Sequence, residues 1–138
     1  MASGFGLQAS SFGPRACRVR FAKMDRFDLA RRIAAQDALR SVPAAEGRRF
    51  NEVFRHGTLS VEIYAPVDRD PQMPHTRDEA YIVISGRGVF VSDRGREAFG
   101  PGDFLFAPAG VEHRFEDFSK DFATWVLFYG PEGGERTG

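Results

Sequence analysis

The feature that most constrains the fold is a succession of short extended segments, separated by turn residues, between residues 50 and 129. In the clearest segment, residues 58–65, apolar and polar side chains alternate as they do in a half-buried strand. The predicted strands comprise residues 50–55, 58–65, 80–85, 89–92, 96–99, 104–107, 113–116 and 122–129. Eight short strands in one domain imply closure, because closure removes exposed sheet edges. We therefore predict an all-β fold, a single small jelly-roll β-barrel, which suits loops of unequal length.

One helix is predicted before the barrel, over residues 25–40. Asp25 is placed to cap it, apolar residues recur at spacings of three and four, and Pro43 would end it. A narrow apolar stripe that contains alanine is typical of a helix packed on the outside of a sheet. The aromatic residues of the last strand are expected to pack in the core or at a dimer contact, with a cavity wall as the alternative for Trp125 or Tyr129.

The two ends of the chain are expected to lie outside the domain of residues 24–130. Residues 1–23 have three interpretations: a transit-like peptide, a disordered leader, or the product of a start codon assigned upstream of Met24. Disorder is the interpretation we favour. Residues 131–138 are predicted to form a flexible tail.

Length and composition exclude several classes of protein. A chain of 138 residues is one domain, and Cys17 as its single cysteine excludes an intrachain disulfide and fits a reducing compartment. The formal net charge is zero, but residues 1–23 hold four basic residues and no acid, so the remainder is negative. That balance argues against a nucleic-acid partner, and no apolar stretch approaches the ~20 residues of a membrane span. We expect a soluble, cytoplasmic protein.

The candidate chemistry lies at two places in the barrel sequence. His75 and Glu79 flank the start of a predicted strand, and an extended chain would point both to the same face. His113 opens a later strand after a turn rich in proline and glycine. Two imidazoles and one carboxylate form the facial arrangement that suits Fe(II) and also accepts Mn, Zn, Ni or Cu. These residues therefore predict a site for a divalent metal ion.

The spacing of these residues resembles the two motifs of the cupin family, G-x5-H-x-H-x3-4-E-x6-G and G-x5-P-x-G-x2-H-x3-N. The matching residues are His75, Glu79 and Gly86 in the first motif and Gly102, Pro108, Gly110 and His113 in the second. The departures are Met73 at the first histidine, Val67 at the opening glycine and Asp117 at the final asparagine. The resemblance covers residues 52–129, and its second motif is the more complete.

The resemblance implies a metal ion inside a small jelly-roll barrel, usually held by three histidines and one glutamate. In this chain it assigns His75, Glu79 and His113 as ligands. Met73 would either leave the metal with three protein ligands or favour a softer ion such as Cu, because a thioether binds hard cations poorly. Gln72 is a possible substitute, but its parity in an extended strand would point it away from the site. The resemblance also implies a homodimer.

Two residues near the ligands are candidate catalytic residues. Tyr81 shares the parity of Glu79 and would act as an acid or as a hydrogen-bond donor, or else pack in the barrel. Arg77 would bind a substrate carboxylate if it pointed inward, and would pair with Asp78 or Asp70 if it lay at the rim.

Three further polar residues are less informative. His56 lies beside a turn glycine and is expected to face solvent. Glu62 and Tyr64 alternate with an apolar face, so their periodicity is compatible with either the lumen or the solvent.

A metal site in such a pocket supports two enzymatic hypotheses with a small-molecule substrate. With Fe(II), the three protein ligands would suit a small dioxygenase, whereas Mn or Zn would act as a Lewis acid in isomerisation or decarboxylation. The sequence favours Fe(II) and the dioxygenase. The alternative is a protein without catalytic activity that binds a small ligand, or serves as a dimerisation unit, and has a degenerate metal site. The sequence does not define the substrate.

Overall fold

The computed structural model describes residues 30–138, so the predicted leader and the first part of the predicted helix, with Asp25, lie outside it. From Ile33 onward the residues form one compact unit. The described residues form eight strands, each within two residues of its predicted position. They are β1 (Phe50–His56), β2 (Leu59–Tyr64), β3 (Asp78–Ser85), β4 (Gly88–Ser92), β5 (Gly95–Phe99), β6 (Phe104–Ala107), β7 (Arg114–Glu116) and β8 (Ala123–Tyr129).

The helix is shorter than the sequence predicts. The described part of the predicted helix is helical only in α1, Ala35–Leu39, and a 3-10 turn follows at Ala45–Gly47. Residues 30–34 are not helical. Ala34, at the start of α1, has extended backbone angles and no side chain that caps the free amides, so nothing local extends the helix backwards. Ala38 is buried, and α1 lies against β2, as expected of an outer helix.

The strands form two antiparallel sheets, as in a jelly roll. One sheet has the order β1-β2-β8-β3-β6, and the other has the order β5-β4-β7. In the larger sheet Glu62, Val126 and Tyr81 lie directly opposite one another on β2, β8 and β3. Opposed residues share a face of an antiparallel pair, so this row faces the interior together with the core residue Val126.

The core is an aromatic cluster contributed by both sheets. Phe115 of β7 lies at the centre, with its ring centroid 4.8 Å from Phe122, 5.0 Å from Tyr81 and 5.5 Å from Phe99. Edge-on and tilted contacts of this kind stabilise beyond the area that they bury. Gly86 permits the close approach of two segments here, because a Cβ at this position would lie 2.5 Å from Cα of Phe122. Its positive φ of 82° also suits glycine alone.

The predicted flexible tail contains no helix or strand, but two of its amides donate to the segment that leads into β3. Gly133 donates to the carbonyl of Thr76, and Glu135 donates to the Asp78 carboxylate at 2.7 Å. The buried Asp78 also accepts the amide of Ala109 at 2.9 Å. Among residues 30–138, no helix is long and apolar enough to cross a membrane.

Candidate metal centre

Three side chains singled out by the sequence lie together between the sheets. His75, Glu79 and His113 each offer one ligand atom, and these atoms all lie within 4.8 Å of one another. Oε2 of Glu79 is 3.0 Å from Nε2 of His113 and 3.7 Å from Nε2 of His75. Glu79 and His113 are buried, whereas the side chain of His75 is 37% exposed. The cluster is therefore closed on one side and accessible on the other.

Glu79 reaches the interior because of its place in the sheet. It is the second residue of β3 and lies between Phe128 of β8 and Ala107 of β6. Its Oε2 atom is buried and makes no well-aligned hydrogen bond in the described part of the chain, although Nε2 of His113 lies 3.0 Å away. A buried carboxylate is costly without a neighbouring cation, and either a protonated His113 or a metal ion between the imidazoles would supply one. The donor set fits a divalent metal ion.

The tautomer of His113 suits a metal ligand. Nδ1 donates to the carbonyl of Val111 at 2.8 Å, so Nε2 is left to face Glu79. Burial lowers the pKa of His113, but the Glu79 carboxylate and the Val111 carbonyl more than offset it, and the pKa is raised. Without a cation, the Glu79 charge thus favours a proton on His113 where a metal ion would otherwise bind.

His75 connects the two sequence motifs. Its carbonyl accepts the amide of Gly110 at 2.7 Å, and Gly110 has a positive φ of 76°. Its ring packs edge-on against Phe128, with centroids 4.9 Å apart. The turn of the second motif therefore fixes the backbone that carries the first histidine ligand.

A cavity of about 650 Å³ adjoins the ligands. His75 and Glu79 line it, together with Glu62 and Tyr64 of β2, which settles the open question of their direction. Burial, then the charges of Glu52 and Glu79, raise the pKa of Glu62 to about 7. Glu62 is therefore a carboxyl group that exchanges its proton near neutral pH beside the candidate metal site. The other lining residues are Gly47, Arg48, Arg49, Phe50, Pro66, Val67, Arg69, Pro71, Gln72, Val126 and Phe128.

The structure corrects the prediction for Gln72, which lines the cavity instead of pointing away from it. The parity argument fails because residues 71–77 are not a strand. Oε1 of Gln72 accepts a hydrogen bond from the Tyr81 hydroxyl at 3.1 Å. Met73 is 74% exposed and does not line the cavity, so its thioether takes no ligand position.

Asp70 organises the polar wall of the site, and sequence reasoning missed this role. Its carboxylate accepts hydrogen bonds from the Tyr64 hydroxyl, from the backbone N–H of Gln72 at 3.2 Å and from the backbone N–H of Phe115 at 2.8 Å. Burial and the hydrogen bond to Asp70 raise the pKa of Tyr64, so Tyr64 stays protonated. Asp70 lies in an irregular loop, where neither periodicity nor motif spacing marks an acid as structural.

Tyr81 and Arg77, the two candidate catalytic residues, do not line the cavity. Tyr81 is fully buried, and its hydroxyl lies 2.9 Å from Nε2 of His113. Burial and the charge of Glu79 raise the pKa of Tyr81 well above its ordinary value, so it is a neutral phenol. Arg77 donates to the carbonyl of Thr58. The rim interpretation paired Arg77 with Asp78 or Asp70, and neither ion pair forms among residues 30–138. Catalytic roles for both residues stay predictions.

His56, the third histidine, ends β1 at an exposed position and does not line the cavity. This agrees with the expectation that it faces solvent.

Comparison with known proteins identifies the family. The sequence profile of the Cupin domain matches residues 60–129. The Streptomyces coelicolor protein SCO3923 is 34% identical over 98 residues, which cover 70% of this chain and 93% of that protein. A Cupin 2 conserved barrel domain protein from Salinispora arenicola superposes with a TM-score of 0.57 at 21% identity, covering 73% of this chain and 90% of the other. Protein NMB1881 from Neisseria meningitidis has the same TM-score at 15% identity, covering 72% and 100%. This chain belongs to the cupin family.

Proposed function

We propose that this cupin is a mononuclear metal-dependent enzyme that acts on a small molecule in the cavity beside His75 and Glu79. The convergence of Glu79 with two imidazoles carries the proposal, because its buried Oε2 atom lies 3.0 Å from Nε2 of His113 and 3.7 Å from Nε2 of His75. Two imidazoles and one carboxylate that converge in this way form a ligand set for a divalent metal ion.

Each part of the chain has a role in this proposal. His75, Glu79 and His113 would hold the ion, and the apolar side chains of Val126 and Phe128 would limit water around a bound substrate. The ion would supply Lewis-acid polarisation of a substrate oxygen or, as iron, redox chemistry with molecular oxygen. Glu62 would donate or accept a proton at its carboxyl group, because burial raises its pKa to about 7 in the metal-free protein.

Lewis-acid chemistry of the isomerase or decarboxylase type is the reaction class that we favour. Proton transfer is central to such reactions, and Glu62 supplies a suitable group in the cavity wall. A dioxygenase is the second candidate, because two histidines and one carboxylate match the ligand set of non-haem Fe(II) oxygenases. Similarity to the solved structures above extends only to the fold, so it does not distinguish the Lewis-acid reaction class from the dioxygenase.

The first test is the metal content of the purified protein, measured by elemental mass spectrometry without chelators. We expect about one divalent ion per chain in the native protein and loss of the ion in His75→Ala, Glu79→Gln and His113→Ala. His56→Ala is the matched control, because His56 is exposed and lies outside the cavity. Absence of metal after reconstitution, or equal loss in the control, would exclude the metalloenzyme and leave a cupin that only binds its ligand.

The second test separates the two reaction classes. Deuterium incorporation from D₂O into a carbonyl acid, lost in Glu62→Gln, would support proton-transfer chemistry. Oxygen consumption by the iron-loaded protein, independent of Glu62, would support the dioxygenase.

A further inference from the structure

Every basic side chain that lines the cavity, apart from the imidazole of His75, is an arginine. Arg48 and Arg49 come from the segment before β1, and Arg69 comes from the loop between β2 and β3. None of the three forms an ion pair with a carboxylate within residues 30–138, whereas Arg55 and Arg96 are paired with acids. Three arginines that line one cavity without a carboxylate partner in the described part of the chain are available to a ligand.

Two of these arginines are held by contacts that leave their terminal nitrogens available. Nε of Arg49 donates to the carbonyl of Ala65 at 2.8 Å, and the Ala65 amide donates back to the Arg49 carbonyl at 2.9 Å. Nε of Arg48 donates to Ala45 at 3.2 Å, and its guanidinium lies 5.5 Å from the centre of the Phe50 ring. Such anchoring lowers the entropy lost when a ligand binds, and the planar guanidinium suits bidentate binding of an oxyanion.

The charges of the cavity favour an anion once the metal site is filled. The acids in its lining are Glu62 and Glu79, and Glu79 would be neutralised by the ion that it binds. A divalent ion and three arginines then outweigh the acids in the lining.

We propose that the cavity binds a small organic acid, whose carboxylate or phosphate contacts Arg48, Arg49 and Arg69 while its other end lies at His75 and Glu79. This inference rests on the proposed function for the metal end of the ligand and adds the class of substrate. The volume of about 650 Å³ lies within the range of small-molecule sites.

The experiment is calorimetric titration of the metal-loaded protein with malonate, succinate, glutarate and adipate. The monoamide of each acid is the matched control, because its amide replaces one carboxylate with a neutral group. Inorganic phosphate and glycerol 2-phosphate distinguish phosphate from carboxylate recognition. We expect diacids of one chain length, or a phosphate monoester, to bind at least about 10-fold more tightly than the matched amide or alcohol. Equal binding of acids and amides, or no binding of any anion, would overturn the proposal.

Variants of the arginines test whether these side chains bind the anion. We expect Arg49→Gln and Arg69→Gln each to weaken anion binding about 10-fold or more. Arg69 is exposed in a loop, so its variant should fold even if Arg49→Gln does not. Arg94→Gln, at the exposed β4–β5 turn, is the control and should bind like the native protein. Unchanged affinity in Arg69→Gln, or equal weakening in the control, would refute the assignment.

Metal content measured on the same samples separates this proposal from the proposed function. If the metal content is normal but acids and amides bind with equal affinity, the anion site is refuted and the metalloenzyme is not. Arginine-dependent anion binding by a chain that holds no metal would support the anion site and defeat the metalloenzyme.

Discussion

The carboxyl group of Glu62 gives a prediction about stability as well as chemistry. Its folded pKa of about 7 exceeds the ordinary value of 4.5, first because of burial and then because of the charges of Glu52 and Glu79. Between these two values the folded state binds more protons than the unfolded state, so the free energy of unfolding falls as pH rises. The stability conferred by the protonated form is complete below pH 4.5 and lost as pH passes 7.

The size of this effect follows from the pKa difference. A difference of 7 − 4.5, about 2.5, corresponds to about 3 kcal/mol at ~1.36 kcal/mol per pKa unit. Glu62 is only half-buried, so solvent screening reduces the expected loss to about 1–2 kcal/mol. Glu62→Gln cannot ionise and should escape the loss. At pH 8 we expect it to be more stable than the native protein by that amount, or about 3–8 °C in Tm, with little difference at pH 4.5.

The assay is urea unfolding of metal-free protein at a series of pH values, with Glu97→Gln on the exposed part of β5 as the control. Carbon-13 NMR of the glutamate carboxyl groups would follow the titration of Glu62 directly. Addition of the metal ion should lower the pKa of Glu62, because the cation offsets the charge of Glu79. Parallel pH profiles of native protein and Glu62→Gln would refute the reasoning, since Glu62 would then titrate as an ordinary surface acid.

Three further predictions concern residues around the site and on the outer face of the sheet. Asp70→Asn should lower the free energy of unfolding by about 2 kcal/mol in urea, because four partly buried hydrogen bonds lose a charged acceptor. An unchanged midpoint would contradict this. Tyr81→Phe should strengthen metal binding by up to about 10-fold in a metal titration, because its hydroxyl lies 2.9 Å from Nε2 of His113 and competes for the nitrogen that the ion would occupy. Weaker binding in that variant would show that the hydroxyl positions His113 instead. We also propose that the expected homodimer uses the outer face of β3 and β6, where Phe104 is 65% exposed. Light scattering should then show a dimer that Phe104→Ser converts to a monomer, and a native monomer would reject the proposal.

The strands were predictable because local chemistry specifies them. Alternation marks their two faces, and glycine or proline marks their ends, as at Gly86 and at the Pro108–Gly110 turn. The ligand cluster was predictable for a related reason. The motif spacing marked all three ligands, and His113 follows a turn whose glycine amide donates to the carbonyl of His75. Strand parity accounts for Glu79 in β3 but not for His75, which lies in the irregular segment before β3.

The incorrect predictions concern segments that have neither helical nor strand periodicity. The helix prediction extended an apolar spacing through residues 30–34, although Ala34 provides no cap. The direction of Gln72 was inferred from strand parity in a segment that is irregular. Asp70 and the cavity-lining arginines come from loops that converge only in the folded chain, so sequence order gives no sign of their proximity.

Met73 shows how a departure from a motif acquires a physical meaning from the fold. The sequence allowed two interpretations of Met73: a soft thioether ligand, or a site with three protein ligands. Met73 is 74% exposed and does not line the cavity, which excludes the thioether ligand. The preference for copper that such a ligand would give is excluded with it. A metal ion held by His75, Glu79 and His113 would have one more coordination position for substrate than a site with four protein ligands. That extra position suits a ligand that chelates the ion through two oxygens. An organic acid would bind in this way at one end, while the carboxylate or phosphate at its other end would bind the arginines.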